Sequence, residues 1–587
     1  MNQETRTCIN CKSPFAIEPD DFSFYEKMGV PPPTWCPQCR LMRRFMFRND
    51  RTLYKRPCNK CKMDIISIYN KDKPYTIFCQ QCWWNDDWDA LSYGIEYDPT
   101  RGFFEQFDGL LKKVPIMANF VVNEKTMVNS PYNNMVSYLK NCYLLTNADY
   151  NENCAYGCEI QNSKECFDMN LADRCELSYE CVNSQNCYRT FFSSDCQTCN
   201  NVWYSHNLIS CNDCIGCVNL RGKQYHIFNQ PYTKEEYQQK IKSMGLGSYH
   251  ASLAIGERAK KLALLYPNKF MHGFQNTNAS GEYIYQSKNT HDSWLVTGCE
   301  DVRYSQYLVA KSTKDSYDYT QYGDGAELFY EALQGGNNCQ RVRFSWFTVG
   351  SSRDVTYGIQ NFSCENTFGC VAVRKKQYCI LNTQYSETEY KKLSSGIIED
   401  MKQRGEWGEF FPPALSPFGY NETTAQQYFP LSPEEARRKG YTWQLPDPRQ
   451  YQPTITAEDL PESITDIPDS ILNDIIQCLH KGECNEQCAS AFRLIPSELQ
   501  FYKQMNLPLP RLCSNCRHYA RLTQRNPPKL WERVCQCAGS DSDNHAYRNT
   551  AAHSHGSTHC DNKFQTAYAP EKPEIIYCES CYQLEVA

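Results

Sequence analysis

The chain has 587 residues and a formal net charge of −6, with 61 Lys and Arg against 67 Asp and Glu, so a nucleic-acid site would have to be a local basic patch. Hydrophobic residues make up 41% without any run near the ~18 apolar residues of a membrane helix, and aromatic residues at 13% exclude a disordered chain. Met1 to Cys11 is polar with no apolar leader, so the 35 cysteines point to metal and a cytoplasmic location rather than to secretion and disulfides.

Residues 1–95 carry four successive Cys-x-x-Cys pairs: Cys8/Cys11, Cys36/Cys39, Cys58/Cys61 and Cys79/Cys82. Two such pairs close a four-coordinate zinc shell with no open position, which predicts two structural Zn2+ sites. Disulfides or an iron–sulfur cluster are the competing uses of these sulfurs. The first site has treble-clef order, with a knuckle at Cys8/Cys11, a short hairpin or loop, and Cys36-Pro37-Gln38-Cys39 opening a helix from Arg40 to about Arg51. The second brackets two β-prone runs, Met63 to Tyr69 and Tyr75 to Phe78, as in a zinc ribbon. Arg40, Arg43, Arg44, Arg48 and Arg51 recur every three or four residues along the expected helix, a basic stripe suited to RNA or DNA phosphates, with Phe45, Phe47 and Tyr54 interleaved for stacking on bases. Trp83, Trp84 and Trp88 are expected to dock this double module onto the first coils of the next domain.

Residues 96–231 and 270–385 form a duplicated middle, separated by a helical insert at 232–269. The segment from Cys217 to Tyr237 aligns without a gap with Cys370 to Tyr390. Each copy ends in a helix candidate, Thr233 to about Met244 and Ser386 to about Met401, with the Thr and Ser placed as N-caps ahead of glutamates. Upstream, Cys142, Cys154, Cys166, Cys187, Cys199 and Cys211 recur at about twelve residues or nearly twice that, with polar corners between. Asp292, Asp301, Asp315, Glu327, Asp354 and Asn366 keep a looser beat in the second copy. Short strands at a fixed period predict a mainly β, multidomain fold with two duplicated β-solenoid blocks. Inside them the cysteines are expected to form a packing ladder; metal at Cys196/Cys199 and Cys211/Cys214/Cys217, or disulfides, are the alternatives. Residues 386–475 read as a helical and Pro-rich linker, either a free tether or a strap along the solenoid.

Residues 476–587 repeat the plan of the first block as a second double zinc module. Cys488, Phe492, Phe501-Tyr502 and Cys513-x-x-Cys516-Arg517 match Cys11, Phe15, Phe24-Tyr25 and Cys36-x-x-Cys39-Arg40. Cys478, His480 and Cys484 compete to complete the knuckle, and the spacing favours Cys484. In the ribbon, Cys535/Cys537 and Cys578/Cys581 are the expected ligands, while His553, His555, His559 and Cys560 in the insert are a replacement ligand, a further site or a solvated loop. About four Zn2+ ions follow in all. The basic stripe recurs at Arg517, Arg521 and Arg525.

The Cys-x-x-Cys, Asp21-x-Phe-x-Phe-Tyr and Pro-x-Pro-x-x-Cys-x-x-Cys-Arg arrangement resembles the bacterial "probable zinc-ribbon" domain, and the whole chain resembles a family of zinc-ribbon proteins from candidate-phylum bacteria. The resemblance implies treble-clef zinc domains at both ends and implies no activity. No phosphate loop, nucleophile elbow or His-Glu-x-x-His is present. The expected function is a zinc-binding, nonenzymatic interaction protein, binding RNA or DNA through the basic helices. The alternatives are a protein-binding scaffold capped by its zinc modules, and a carbohydrate-active enzyme using Asp315, Asp318, Asp324 and Glu327.

Overall fold

The computed structural model describes residues 2–121, 124–310, 312–445, 452–539, 541–542 and 547–586; residues 446–451 of the expected linker lie outside the described residues. Strand exceeds helix, 32% against 24%, and no described helix is long and apolar enough to cross a membrane.

Most strands belong to two stacks of parallel coils. In the first, Cys158 pairs with Asn170, Asn170 with Val182, Tyr188 with Asn200, Asn200 with Asn212, and Asn212 with Gln224, so each coil advances by twelve residues. The chain turns at every third residue: from Met135, Tyr138 and Asn141 through to Asp213, the corner residues have φ between 48° and 61°. Four left-handed corners close each coil. Asn and Asp accept this conformation best, which is the source of the polar beat in the sequence. Corner amides stack as a ladder, Asn129 donating to Asn141 at 3.1 Å and Asn141 to Asn153 at 3.0 Å. Bulkier corners such as Leu171 and Phe192 persist because the main-chain ladder on both sides fixes them.

The second stack is less regular for a visible reason. Thr277 pairs with Lys288, Lys288 with Glu300, Glu300 with Lys314 and Lys314 with Glu327, steps of eleven, twelve, fourteen and thirteen residues. Of the corners expected from sequence, Asp292, Asp301, Asp315, Asp354 and Asn366 have positive φ, whereas Leu328 takes the corner assigned to Glu327.

The coils are narrow inside, so their inward residues are small or slender: Val136, Cys142, Ala148, Cys154, Ile160, Cys166 and Ala172 form one buried cluster. Most ladder thiols point at one or two main-chain carbonyls. Cys142 donates to Lys140 O and Asn151 O at 3.3 and 3.4 Å, and Cys181 to Tyr179 O and Thr190 O at 3.3 and 3.2 Å. Serine does the same at equivalent positions, as Ser163 does to Gln161 O. Burial pushes the Cys154, Cys181 and Cys370 thiols far up, so they stay protonated donors, and all 35 cysteines are free.

At the C-terminal end of each stack the last parallel strand, Gln224–Ile227 or Gln377–Ile380, folds back on an antiparallel strand, Gln230–Pro231 or Thr383–Gln384, and a helix follows. Both helices begin with the expected capping box, Thr233/Glu236 and Ser386/Glu389. The fold-back and helix cover an edge that would otherwise pair with other chains. Ahead of each stack a ribbon strand forms a separate two-stranded parallel sheet with the incoming chain, Ile77–Phe78 with Ile116–Met117 before the first stack and Ile575–Tyr577 with Pro267–Lys269 before the second.

The clefs cross over. The N-terminal Pro37–Phe45 helix packs on strands Lys314–Tyr322 and Glu327–Gly335 of the second stack, and the C-terminal Ser514–Leu522 helix packs on Asn170–Asp173 of the first. The tryptophans correct one expectation in the same way. Trp83 and Trp84 pack on Phe362 of the second stack, and Arg374 lies over Trp83, Trp84 and Trp88, so the docking is not to the first coils. The described part of the linker is a strap, with Trp407, Phe410, Phe411, Phe418 and Tyr420 buried in the same core as Phe47, Trp346 and Tyr357.

Candidate metal centres

Cys8, Cys11, Cys36 and Cys39 place their sulfurs within 4.8 Å of one another, as do Cys58, Cys61, Cys79 and Cys82. Zn–S bonds of about 2.3 Å in a tetrahedron require sulfurs about 3.8 Å apart, whereas a disulfide requires ~2.05 Å. Cys11 and Cys36 are 3.7 Å apart, and Cys61 and Cys79 are 3.9 Å apart. The local fold builds both groups alike. A knuckle turns back on itself through a left-handed Lys12 or Lys62, and the second pair lies at a helix start, with Cys36 and Cys79 as N-caps where the helix dipole favours a thiolate. Backbone N–H groups of Cys36 and Cys79 donate to Cys8 and Cys58 sulfur at 3.3 Å.

At the C-terminal clef the structure corrects the ligand set. The tetrad is Cys478, Cys488, Cys513 and Cys516, with Cys513–Cys516 at 3.5 Å and Cys488–Cys513 at 3.9 Å. Cys478 takes the place of Cys8: it follows a short strand, its N–H bonds Ser490 O as that of Cys8 bonds Ser13 O, and its sulfur accepts from Cys513 N–H at 3.2 Å. The knuckle loop has lengthened, which left Cys484 nearer in sequence. Cys484 itself lies 3.8 Å from Cys516.

In the ribbon all four expected cysteines belong to candidate metal groups, but to two different ones. Cys535, Cys578 and Cys581 group with Cys560, and of these three only Cys581 also groups with Cys537. Cys560 stands where Cys61 stands in the first ribbon, two residues before the residue whose carbonyl accepts from Cys58 or Cys535 N–H. Cys537 instead groups with His553, His555 and, again, Cys581.

The basic stripes are where sequence and structure part most. Arg40 and Arg44 are 1% and 0% exposed and both bind one buried carboxylate: Arg40 Nε donates to Asp318 Oδ2 and Arg44 Nη1 to Asp318 Oδ1, each at 2.9 Å. The C-terminal module repeats this with Arg517 Nε on Asp168 Oδ2 at 2.9 Å and Arg521 Nη2 on Asp168 Oδ1 at 3.0 Å. One coil further on, Glu331 holds Arg43 at 2.7 Å and Glu180 holds Arg521 at 3.0 Å. Arg48 pairs with Asp50, and Arg525 with Glu159 at 2.9 Å. Arg51, partly exposed, donates to Asn515 Oδ1 at 3.2 Å and so touches the opposite clef. Burial pulls the Arg40 and Arg517 guanidiniums down, but Asp318 and Asp168 reverse the effect and leave both well above the usual arginine range. Burial also lifts Glu180 to about 7 against the pull of Arg521. The arginines therefore face inward, and the expected phosphate-facing stripe is corrected to a set of internal clasps. Asp318, expected on a carbohydrate-binding groove in the enzyme alternative, is fully buried within one of them.

A scan against protein-family models gives no match, and a search of curated proteins gives none. Sequence reasoning missed Asp168 and gave Asp318 a different role, because both carboxylates meet their arginines across long stretches of chain. Their only signal is that a carboxylate occupies a coil corner facing a helix that carries Arg at i and i+4.

Proposed function

We infer that this chain is a nonenzymatic, zinc-dependent interaction scaffold in which the two stacks are β-solenoids and the treble-clef and ribbon modules lock one to the other. The observation that carries this reading is the matched pair of clasps, Arg40/Arg44 on Asp318 and Arg517/Arg521 on Asp168. Zinc holds each arginine helix in the geometry its clasp needs, a structural role that requires no substrate. A coil that repeats presents its outer residues in columns. Tyr138 and Tyr150, about half exposed with their rings stacked at 4.5 Å, stand in one such column and offer a protein partner rigid aromatic surface.

The same clasps weigh against RNA or DNA binding by the module helices, because a phosphate would have to displace Asp318 or Asp168 from arginines without an open face. The test is binding of the zinc-replete chain to single-stranded RNA and duplex DNA across a salt series, beside a variant carrying Asp168→Ala and Asp318→Ala. Expected is no salt-dependent affinity for the wild type and its appearance in the variant, whose guanidiniums are freed. A wild-type log affinity that falls with log salt as several phosphate contacts require would overturn the scaffold reading.

A further inference from the structure

The two ribbons differ in one respect that the scaffold reading does not use. The first closes its hairpin over residues 58–63, between Tyr54–Pro57 and Asp64–Ser67; the second inserts residues 535–562 between Trp531–Val534 and Lys563–Thr566. That insert brings Cys537, His553 and His555 together beside the tetrad already described.

The distances fit a metal. Cys537 Sγ lies 3.4 Å from His555 Nε2 and 3.6 Å from His553 Nδ1, and Cys581 Sγ lies 3.5 Å from His555 Nε2. Zn–S of about 2.3 Å and Zn–N of about 2.0 Å in a tetrahedron place S and N about 3.5 Å apart. The outer nitrogens of both rings are tied as they are around zinc. His555 Nδ1 meets Thr558 O at 2.7 Å, and since a carbonyl only accepts, the proton is on Nδ1 and the Nε2 lone pair faces the two sulfurs. His553 Nε2 meets Glu585 Oε1 at 2.8 Å, which turns its Nδ1 lone pair toward Cys537. Glu585 is fixed in turn by Thr550 N–H and Ala551 N–H, and the side chains of His553 and Glu585 are 1% and 0% exposed. A carboxylate behind a ligating histidine is the outer shell that orients it and raises its basicity. Asn549 Nδ2 donates to Cys537 sulfur at 3.0 Å.

Cys581 belongs to both groups. We propose that they form one binuclear zinc centre in which the Cys581 thiolate bridges the two ions. Cys535, Cys560 and Cys578 complete one tetrahedron; Cys537, His553 and His555 complete the other. Seven side chains thus fill two four-coordinate shells, which works only if one is shared. Sharing also balances charge, since two Zn2+ ions against five thiolates leave roughly one negative charge, where a lone four-thiolate site leaves about two. The second ion gives the insert the fixed structure that a long loop without a core of its own lacks.

The proposal rests on the zinc reading of the end modules, and metal stoichiometry of the full-length, zinc-replete chain separates the two. Native mass spectrometry is expected to give five zinc ions per chain, and four for His555→Ala, with His555→Cys restoring the fifth. Four in the wild type would overturn the binuclear centre and leave the other sites standing, whereas none would overturn the zinc reading itself. Cobalt substitution tests the bridge. A shared thiolate couples the two Co2+ spins, so the wild type is expected to show the paramagnetic resonance of three independent ions and His555→Ala that of four. Five independent ions in the wild type would mean two separate sites, and the bridge would be wrong. Should His555→Ala not fold, His553→Ala carries the same expectation for both measurements.

Discussion

Replacing Asp318 by Ala removes one carboxylate and leaves two buried guanidiniums. Arg40 keeps a bond to Trp35 O at 2.8 Å, and Arg44 keeps Thr320 Oγ1 at 3.1 Å and Tyr304 O at 3.3 Å, but Arg40 loses its carboxylate partner and Arg44 is left with only the more distant Glu331. Two charge-assisted hydrogen bonds of ~1.5–3 kcal/mol each are lost, about 3–6 kcal/mol together, in line with the ~3–5 kcal/mol cost of removing one partner from a buried ion pair. That cost falls on docking of the N-terminal clef and not on the second stack, whose coils pair through their own main chain. The suitable assay is therefore local: native-state hydrogen exchange over the Pro37–Phe45 helix, with chelator-driven zinc release as a second readout. A loss of about 4 kcal/mol means exchange there speeds up roughly a thousandfold, with the C-terminal clef unchanged. Asp318→Asn keeps one acceptor oxygen and is expected to lie between. Asp168→Ala is expected to mirror the result on the Ser514–Leu522 helix. Exchange in Asp318→Ala within threefold of wild type would refute the claim that the clasp holds the module.

The C-terminal knuckle gives a simple comparison: Cys478→Ser is expected to lose one zinc ion per chain by mass spectrometry and Cys484→Ser none, and the reverse would restore Cys484 as the ligand. His272 gives a pH dependence. Burial disfavours its charge and Lys269 opposes it, but Glu282, 2.6 Å from Nδ1, and Asp195 of the first stack, 3.5 Å from Nε2, raise its pKa to about 9. A histidine raised in this way stabilises the fold fully below its unfolded value of about 6.5 and loses that contribution as pH rises through 9. His272→Gln is thus expected to be less stable than wild type by about 3 kcal/mol at pH 6, with the gap closing by pH 9.5 in urea titrations; a gap independent of pH would refute it.

The local grammar of this chain was legible. Cys-x-x-Cys pairs marked the N-terminal sites because a knuckle of fixed length needs no distant partner, and the Thr233 and Ser386 capping boxes marked helix starts because a cap is settled within three residues. The twelve-residue beat was visible because left-handed corners select Asn and Asp at the positions where those residues occur. Where a knuckle had lengthened, as from Cys478 to Cys488 or Cys535 to Cys560, spacing stopped being informative and proximity in sequence selected Cys484 and Cys537 instead. The arginines failed for a different reason. A stripe at i, i+4 looks the same whether it faces phosphate or a buried carboxylate, and the partners lie 278 and 349 residues away.

Those separations follow from the double duplication. A module that caps the stack beside it in sequence could have folded as an independent half, ribbon and clef together. Here the ribbon pairs with the segment that leads into the adjacent stack while the helix of its clef docks on the other one, so each stack is held by the remote end of the chain. The N-terminal clef must therefore wait for the second stack with three clasp arginines, Arg40, Arg43 and Arg44, undocked, and contacts at such range form slowly. In the proposed scaffold, metal would resolve the delay. On the zinc reading proposed above, four thiolates closing on the metal would fix the Pro37–Phe45 helix without a hydrophobic core of any size, so that the arginines would be in register when Asp318 and Glu331 arrive on adjacent coils. The carboxylates in turn keep a strongly charged helix out of solvent. Under that proposal zinc and ion pairs are successive parts of one mechanism: the metal would give each end its shape, and the clasp decides where that end is allowed to bind.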